Sequence, residues 1–135
     1  MTYREAINLG EKVLNMADVA DAKIDAWLLL EMVCKIDRSF YYLHMEDELA
    51  EEQLSEYEIA LRKRAEHVPL QYIVGEAEFM GLKFKVNSNV LIPRQDTETL
   101  VEEALKVVKP GMNVLDMCTG SGCIIVSIVH NIPEV

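Results

Sequence analysis

Apolar positions in the first seventy residues recur at helical spacing. Ala6, Leu9, Val13, Leu14 and Ala17 share one face, while Arg4, Glu5, Glu11 and Lys12 occupy the other. Asp21 or Asp25 can start a second helix carrying Ile24, Trp27, Leu28, Leu30, Met32 and Val33. Residues 38–44 read as a short helical turn. Glu51 to Glu66 read as a longer helix with Leu54, Tyr57, Ile59, Leu61 and Ala65 as its apolar positions, stopped by Pro69. Short connections between these segments predict an antiparallel helical bundle over residues 1–70.

The pattern changes at Pro69. Gln71–Val74, Glu78–Phe79, Lys83–Val86 and Val90–Ile92 alternate or cluster like short strands, punctuated by Gly75, Gly81 and the turn at residues 87–89. This predicts a β-hairpin linker over residues 71–94, closed by Pro93. Asp96 can cap a helix from Thr97 to about Val108, with Glu98, Glu102 and Glu103 towards its N-terminal end. After Pro110-Gly111, Val114–Met117 reads as a strand, and Ile124–Val129 should begin the next helix. Residues 95–135 are therefore the first helix–strand–helix unit of an incomplete α/β domain, and the predicted class is an α+β fragment. A lone parallel strand cannot pair its backbone or cover both faces. Either the chain is a fragment, or residues 112–135 find a partner in another molecule.

At 135 residues, half of them apolar and 27% charged, the composition is that of an ordinary globular protein. The net charge of −10 disfavours a free-standing nucleic-acid binder, whose affinity rests on neutralising phosphates. Arg62, Lys63 and Arg64 form the one basic cluster, read as a solvated helix end with a docking patch as the alternative. The start of the chain is not a signal peptide, and the longest apolar runs are too short to cross a bilayer. Cys34, Cys118 and Cys123 lack paired metal-ligand spacing, so no metal site is expected; they suit reduced thiols of the cytoplasm.

Candidate chemistry concentrates in Val114-Leu-Asp-Met-Cys-Thr-Gly-Ser-Gly-Cys123. A dinucleotide fingerprint needs a small residue where Ile125 stands, and a P-loop needs Lys where Cys123 follows Gly122. A hydrolase elbow needs glycines where Thr119 and Cys123 flank Ser121, so Ser121 reads as a turn residue. What remains is a loop whose two glycines let a nucleoside-bearing ligand approach the backbone, with Asp116 at the strand end to accept a hydrogen bond. An ordinary strand–turn–helix is the alternative.

Several further motifs accompany that loop in order: Pro69-Leu-Gln-Tyr-Ile-Val-Gly75, Glu78-Phe-Met-Gly-Leu82, Val90-Leu-Ile-Pro-Arg94 and Asp96-Thr-Glu98. Upstream stand Asp25-Ala-Trp-Leu-Leu-Leu30, Asp37-Arg-Ser-Phe40 and Glu46-Asp-Glu-Leu49. Together they resemble the HemK/PrmC family, S-adenosylmethionine-dependent methyltransferases that modify the glutamine of the Gly-Gly-Gln motif in peptide-chain release factors. The resemblance implies a helical domain that helps bind the release factor, a β-hairpin linker and a Rossmann-like methyltransferase domain. It implies cofactor contacts from Asp116 and from Cys118, Thr119, Gly120, Ser121 and Gly122. Arg94, Thr97 and Glu98 are implied to line the cofactor region, with helix capping and a surface ion pair as the alternative. Cys118 departs from the family's commoner glycine, and a side chain there is expected to need a negative φ.

The family's Asn-Pro-Pro-Tyr motif, which holds the substrate glutamine, does not occur; Asn131-Ile-Pro133 does not match it. No catalytic residue is therefore assigned, and these residues alone are expected to be inactive. Two other readings stay open: a non-catalytic helical binding module with a vestigial methyltransferase start, and a methyltransferase for another amide or amine. No nucleic-acid or membrane partner is expected.

Overall fold

A computed structural model describes all residues, 1–135, as two compact units, Met1–Val74 and Gly75–Val135. The first contains α1 (Tyr3–Met16), α2 (Ala22–Cys34), α3 (Arg38–His44), α4 (Glu51–Ala65) and α5 (Leu70–Val74). The Thr2 hydroxyl accepts from the Glu5 N–H, and the Glu5 carboxylate accepts from the Thr2 N–H, a reciprocal cap on α1. Asp37 caps α3 through the Phe40 N–H at 2.7 Å.

Helices α1, α2 and α4 enclose the core, where Ala6, Leu14, Ala26, Leu29, Leu30 and Tyr57 are fully buried. Gly10 of α1 faces Ala26 of α2 and Tyr57 of α4 with no room for a side chain. A Cβ at Gly10 would lie 2.1 Å from the Tyr57 hydroxyl oxygen and 3.1 Å from the Ala26 Cβ. That hydroxyl donates to the Ala26 carbonyl at 3.1 Å, so the only polar atom of the Tyr57 side chain is satisfied inside the core. Beside it, Asp25 and Arg64 join α2 to α4 through a 2.7 Å ion pair, with the Asp25 side chain only 8% exposed. Arg64 also donates to the Val68 carbonyl. Of the basic cluster, only Arg62 and Lys63 are solvated as expected; Arg64 turns inward because Asp25 would otherwise be a buried, unpaired charge.

Three expected strands do not form. Residues 71–74 belong to α5: the Pro69 carbonyl accepts from the Tyr72 and Ile73 N–H groups, and Leu70, Ile73 and Val74 pack on the helical core. Core packing outweighs the local preference of Ile and Val for strands. Residues 90–92 and 114–117 are irregular and pair with no strand; the one sheet is a two-stranded hairpin. That hairpin, β1 (Glu76–Phe79) and β2 (Leu82–Lys85), is antiparallel with Glu76 opposite Lys85 and Phe79 opposite Leu82. Met80 and Gly81 both have positive φ, 51° and 72°, as a tight two-residue turn with the right twist requires.

Alternation puts Ala77, Phe79 and Phe84 inside and Glu76, Glu78, Lys83 and Lys85 outside. Phe79 and Phe84 meet edge to face and share a core with Val101 of α6 (Glu98–Val107) and with Cys123 and Ile128 of α7 (Cys123–Asn131). Asp96 does not cap α6; it lies in a 3-10 turn, Gln95–Thr97, that leads into the helix. The fold is thus α+β, and its only sheet is antiparallel. No helix is long and apolar enough to cross a membrane.

Two outcomes test the helical core. Gly10→Ala is expected to lower stability by about 1–3 kcal/mol, the usual cost of overpacking, despite alanine's helix-propensity advantage of about 1 kcal/mol. In a Tyr57→Phe background, denaturant unfolding should show a smaller loss, because the closest clashing atom is gone; strictly additive losses would refute the contact.

Burial, and then the negative charge of Glu56, pushes the Cys34 thiol up to about 11 from an ordinary 9.0. Burial also raises the Tyr57 phenol well above its ordinary 10.0, with the Cys34 thiolate adding to it. Both groups ionise more readily in the unfolded chain. Their contribution is full below about pH 9 and is lost as pH rises through the folded values. The urea midpoint should therefore fall between pH 8.5 and pH 11, and Tyr57→Phe should flatten part of that fall.

Candidate functional site

The glycine loop connects residues 112–116, which form no regular element, to the start of α7. Asp116 is half-buried and its Oδ2 accepts from the Thr119 hydroxyl at 2.8 Å. The Gly122 N–H donates to the Thr119 carbonyl at 2.9 Å, which closes the loop into a turn just before the helix. Gly120 and Gly122 have φ of 59° and 80°. A Cβ at Gly120 would meet nothing nearer than a carbonyl 4.0 Å away, and at Gly122 nothing nearer than a methyl at 3.7 Å. The glycines are thus required by backbone conformation and not by packing within the chain, and the side of the loop they leave bare is open. The first turn of α7 has no side-chain cap. Its leading N–H groups carry the positive end of the helix dipole.

Cys118 corrects one expectation. Its φ is +60°, left-handed and not negative, and its side chain is exposed. Two further residues on, Gly120 repeats the left-handed turn, and the tight reversal from 116 to 122 leaves residue 118 no extended alternative. Cys123 is buried in the core with Val101 and Ile128, a small apolar filler as expected. The Ser127 hydroxyl returns to the Cys123 carbonyl.

The structure does not bring Arg94, Thr97 and Glu98 together as one set. Arg94 is exposed, precedes the 3-10 turn and makes no ion pair. Thr97 is half-buried at the head of α6 without a side-chain capping bond. The Glu98 carboxylate accepts from the Met80 N–H at 2.8 Å, so it fastens the hairpin turn to the first turn of α6. That bond pairs a backbone donor stranded by the positive φ of Met80 with a charged acceptor, the stronger kind of hydrogen bond. Sequence spacing held no sign of it, because the partners are 18 residues apart. One turn beyond Glu98, Val101 packs with Cys123, which places the head of α6 in the same core as the start of α7.

Residues 5–75 match a family model described as the PrmC N-terminal domain, a span that coincides with the helical unit. The chain belongs to this family. Its similarity to curated relatives extends through the glycine loop. A protein of Moorella thermoacetica named release factor glutamine methyltransferase is 38% identical over 136 residues, 99% of this chain and 48% of the relative. Proteins of the same name from Geobacter sulfurreducens and Clostridium acetobutylicum are 38% and 42% identical, covering 98% and 100% of this chain. The chain spans about half the length of the curated relatives it matches.

The strained position offers a direct test. Cys118→Gly should stabilise the second unit by up to about 1 kcal/mol, as the left-handed penalty of 1–2 kcal/mol exceeds the entropic cost of glycine, about 0.5–1 kcal/mol. Cys118→Val should destabilise it. Native-state hydrogen exchange at the Thr119–Gly122 amides reads both, and slower exchange in the valine variant would contradict the geometry.

Proposed function

We infer that these residues form the N-terminal portion of a protein-(glutamine-N5) methyltransferase that uses S-adenosylmethionine to modify the Gly-Gly-Gln glutamine of peptide-chain release factors in the cytoplasm. The observation that carries this reading is the likeness, across essentially the whole chain, to proteins named for that reaction, loop included. The domain division that follows is a release-factor-binding helical part over residues 1–70, a hairpin linker over 71–94 and the start of a Rossmann-like methyltransferase domain over 95–135.

The loop fits part of such a cofactor. Bare backbone at Gly120 and Gly122 admits close approach, and the uncapped head of α7 suits the ligand's carboxylate. Asp116 retains acceptor capacity beyond its bond to Thr119 and can receive the ligand's ammonium. Cys118, Thr119 and Ser121 would flank it. Arg94 has a free guanidinium and Thr97 a hydroxyl without a capping bond, so both can turn to the ligand. Glu98 would act by positioning, since its carboxylate already holds the Met80 turn. The bound cofactor supplies an electrophilic methyl on sulfonium. An amide nitrogen is a poor nucleophile because its lone pair is delocalised, so acceleration must come from alignment and from acceptors for its N–H groups. Residues 1–135 provide no Asn-Pro-Pro-Tyr set to do that.

Labelled methyl transfer to a purified release factor tests the assignment. The 135-residue chain is expected to give no turnover, while a protein of the relatives' length that contains it should label the Gly-Gly-Gln glutamine and fail on a Gln→Ala release factor. Turnover by the short chain would overturn the expectation that residues 1–135 alone are inactive. Release-factor binding that the longer protein never converts to methylation would favour the non-catalytic binding module.

A further inference from the structure

Helices α1, α2 and α3 border a groove of about 340 Å³ on the helical unit. Trp27, only 7% exposed, lines it together with Tyr41, the two rings edge to face with centroids 5.4 Å apart. Arg38 lies over the Trp27 ring, its guanidinium carbon 5.0 Å from the centroid, and Lys23 also lines the groove. Ile24 and Tyr42 are 53% and 62% exposed, and Glu11 stands on α1. Helix α3 packs Tyr41 against the core but buries no residue completely, and it holds an aromatic and cationic surface towards solvent.

Unpaired cations and aromatic rings coincide in this groove. Residues 1–74 carry 15 acidic and 8 basic side chains, a net charge of −7. Arg4 and Arg64 are neutralised by Glu46 and Asp25; of the six cations of this unit without an ion pair, Lys12, Lys23, Lys35, Arg38, Arg62 and Lys63, only Lys23 and Arg38 line this groove. The groove therefore presents two free cations against the single carboxylate of Glu11, on an otherwise acidic unit. Arg38 stacks on the Trp27 ring, which orders its planar guanidinium for a carboxylate. Exposed Tyr and Ile beside buried Trp form the kind of amphipathic anchor that dominates protein interfaces. A basic peptide would meet Lys23 and Arg38, and a nucleic-acid strand would meet the surrounding negative charge. Neither fits.

We propose that this groove docks an acidic segment of the release factor, its carboxylate between Lys23 and Arg38 and a neighbouring apolar side chain on Ile24 and Tyr42. This rests on the release factor being the partner, as inferred above. The partner reading names only the helical part over residues 1–70; the groove narrows it to one face of α1, α2 and α3.

The test uses the full 135-residue chain and a purified bacterial release factor, with affinity measured by titration calorimetry at low and high salt. Lys23→Glu and Tyr42→Ala are each expected to weaken binding about tenfold or more. Lys63→Glu, on the solvated end of α4, should stay within about twofold. Wild-type affinity should fall with salt, and less so for Lys23→Glu. Both altered side chains are exposed, and circular dichroism checks that the variants fold. If the wild type binds while Lys23→Glu and Tyr42→Ala bind equally well, or Lys63→Glu weakens binding as much, the groove is not the docking site. If the wild-type chain does not bind the release factor at all, the partner reading itself fails and the proposal with it.

Discussion

The Tyr57 hydroxyl sits where α1, α2 and α4 meet, and the helical unit is arranged around the space it needs. Gly10 provides that space on α1, and Ala26 provides both a small side chain and a carbonyl acceptor on α2. A larger residue at either place would push α4 away and strand a polar atom in the core. The Asp25–Arg64 pair lies one residue from this contact and ties the same two helices, α2 and α4. With the crossing set, Trp27 falls on the outer side of α2, where α3 and its aromatic groove can form.

A different constraint governs the second unit. Backbone N–H and C=O groups must be paired or solvated, and the only paired strands are those of the hairpin. Residues 114–117 therefore stay irregular, with Leu115 82% and Met117 78% exposed despite their apolar character. The core that does exist is assembled from β1, β2, α6 and α7, and Glu98 secures it by holding the hairpin turn. The glycine loop keeps its turn because its bonds are local, within residues 116–122. The turn thus needs no strand pairing to hold its shape.

How much could be read in advance follows from this division between local and distant causes. The four long helical segments declared themselves through their apolar period, although neither Asp21 nor Asp96 makes a side-chain capping bond, and α3 matched its expected residues. Residues 71–74 misled because Ile73 and Val74 favour strands, while their packing partners on the helical core are remote in sequence. Arg64 looked like the rest of its basic cluster, and Glu98 like a helix-start acid. Their actual partners are 39 and 18 residues away. Cys118 looked incompatible with a left-handed turn, yet closure of the loop imposes one.

The sequence by itself determined the helical periodicity of residues 1–66, the hairpin alternation, the positions of the loop glycines and the family likeness, since each depends on residues near one another or on ordered motifs. Tertiary structure decided which apolar residues are buried, so that Gly10 and Tyr3 joined the core of the first unit while Ile24 and Ile59 stayed exposed. It also decided which charges are paired, which expected strands exist, and that Lys23 and Arg38 share a groove with Trp27. The physical reason is that burial, ion pairing and backbone pairing are properties of neighbours in space, and a period along the chain does not name them.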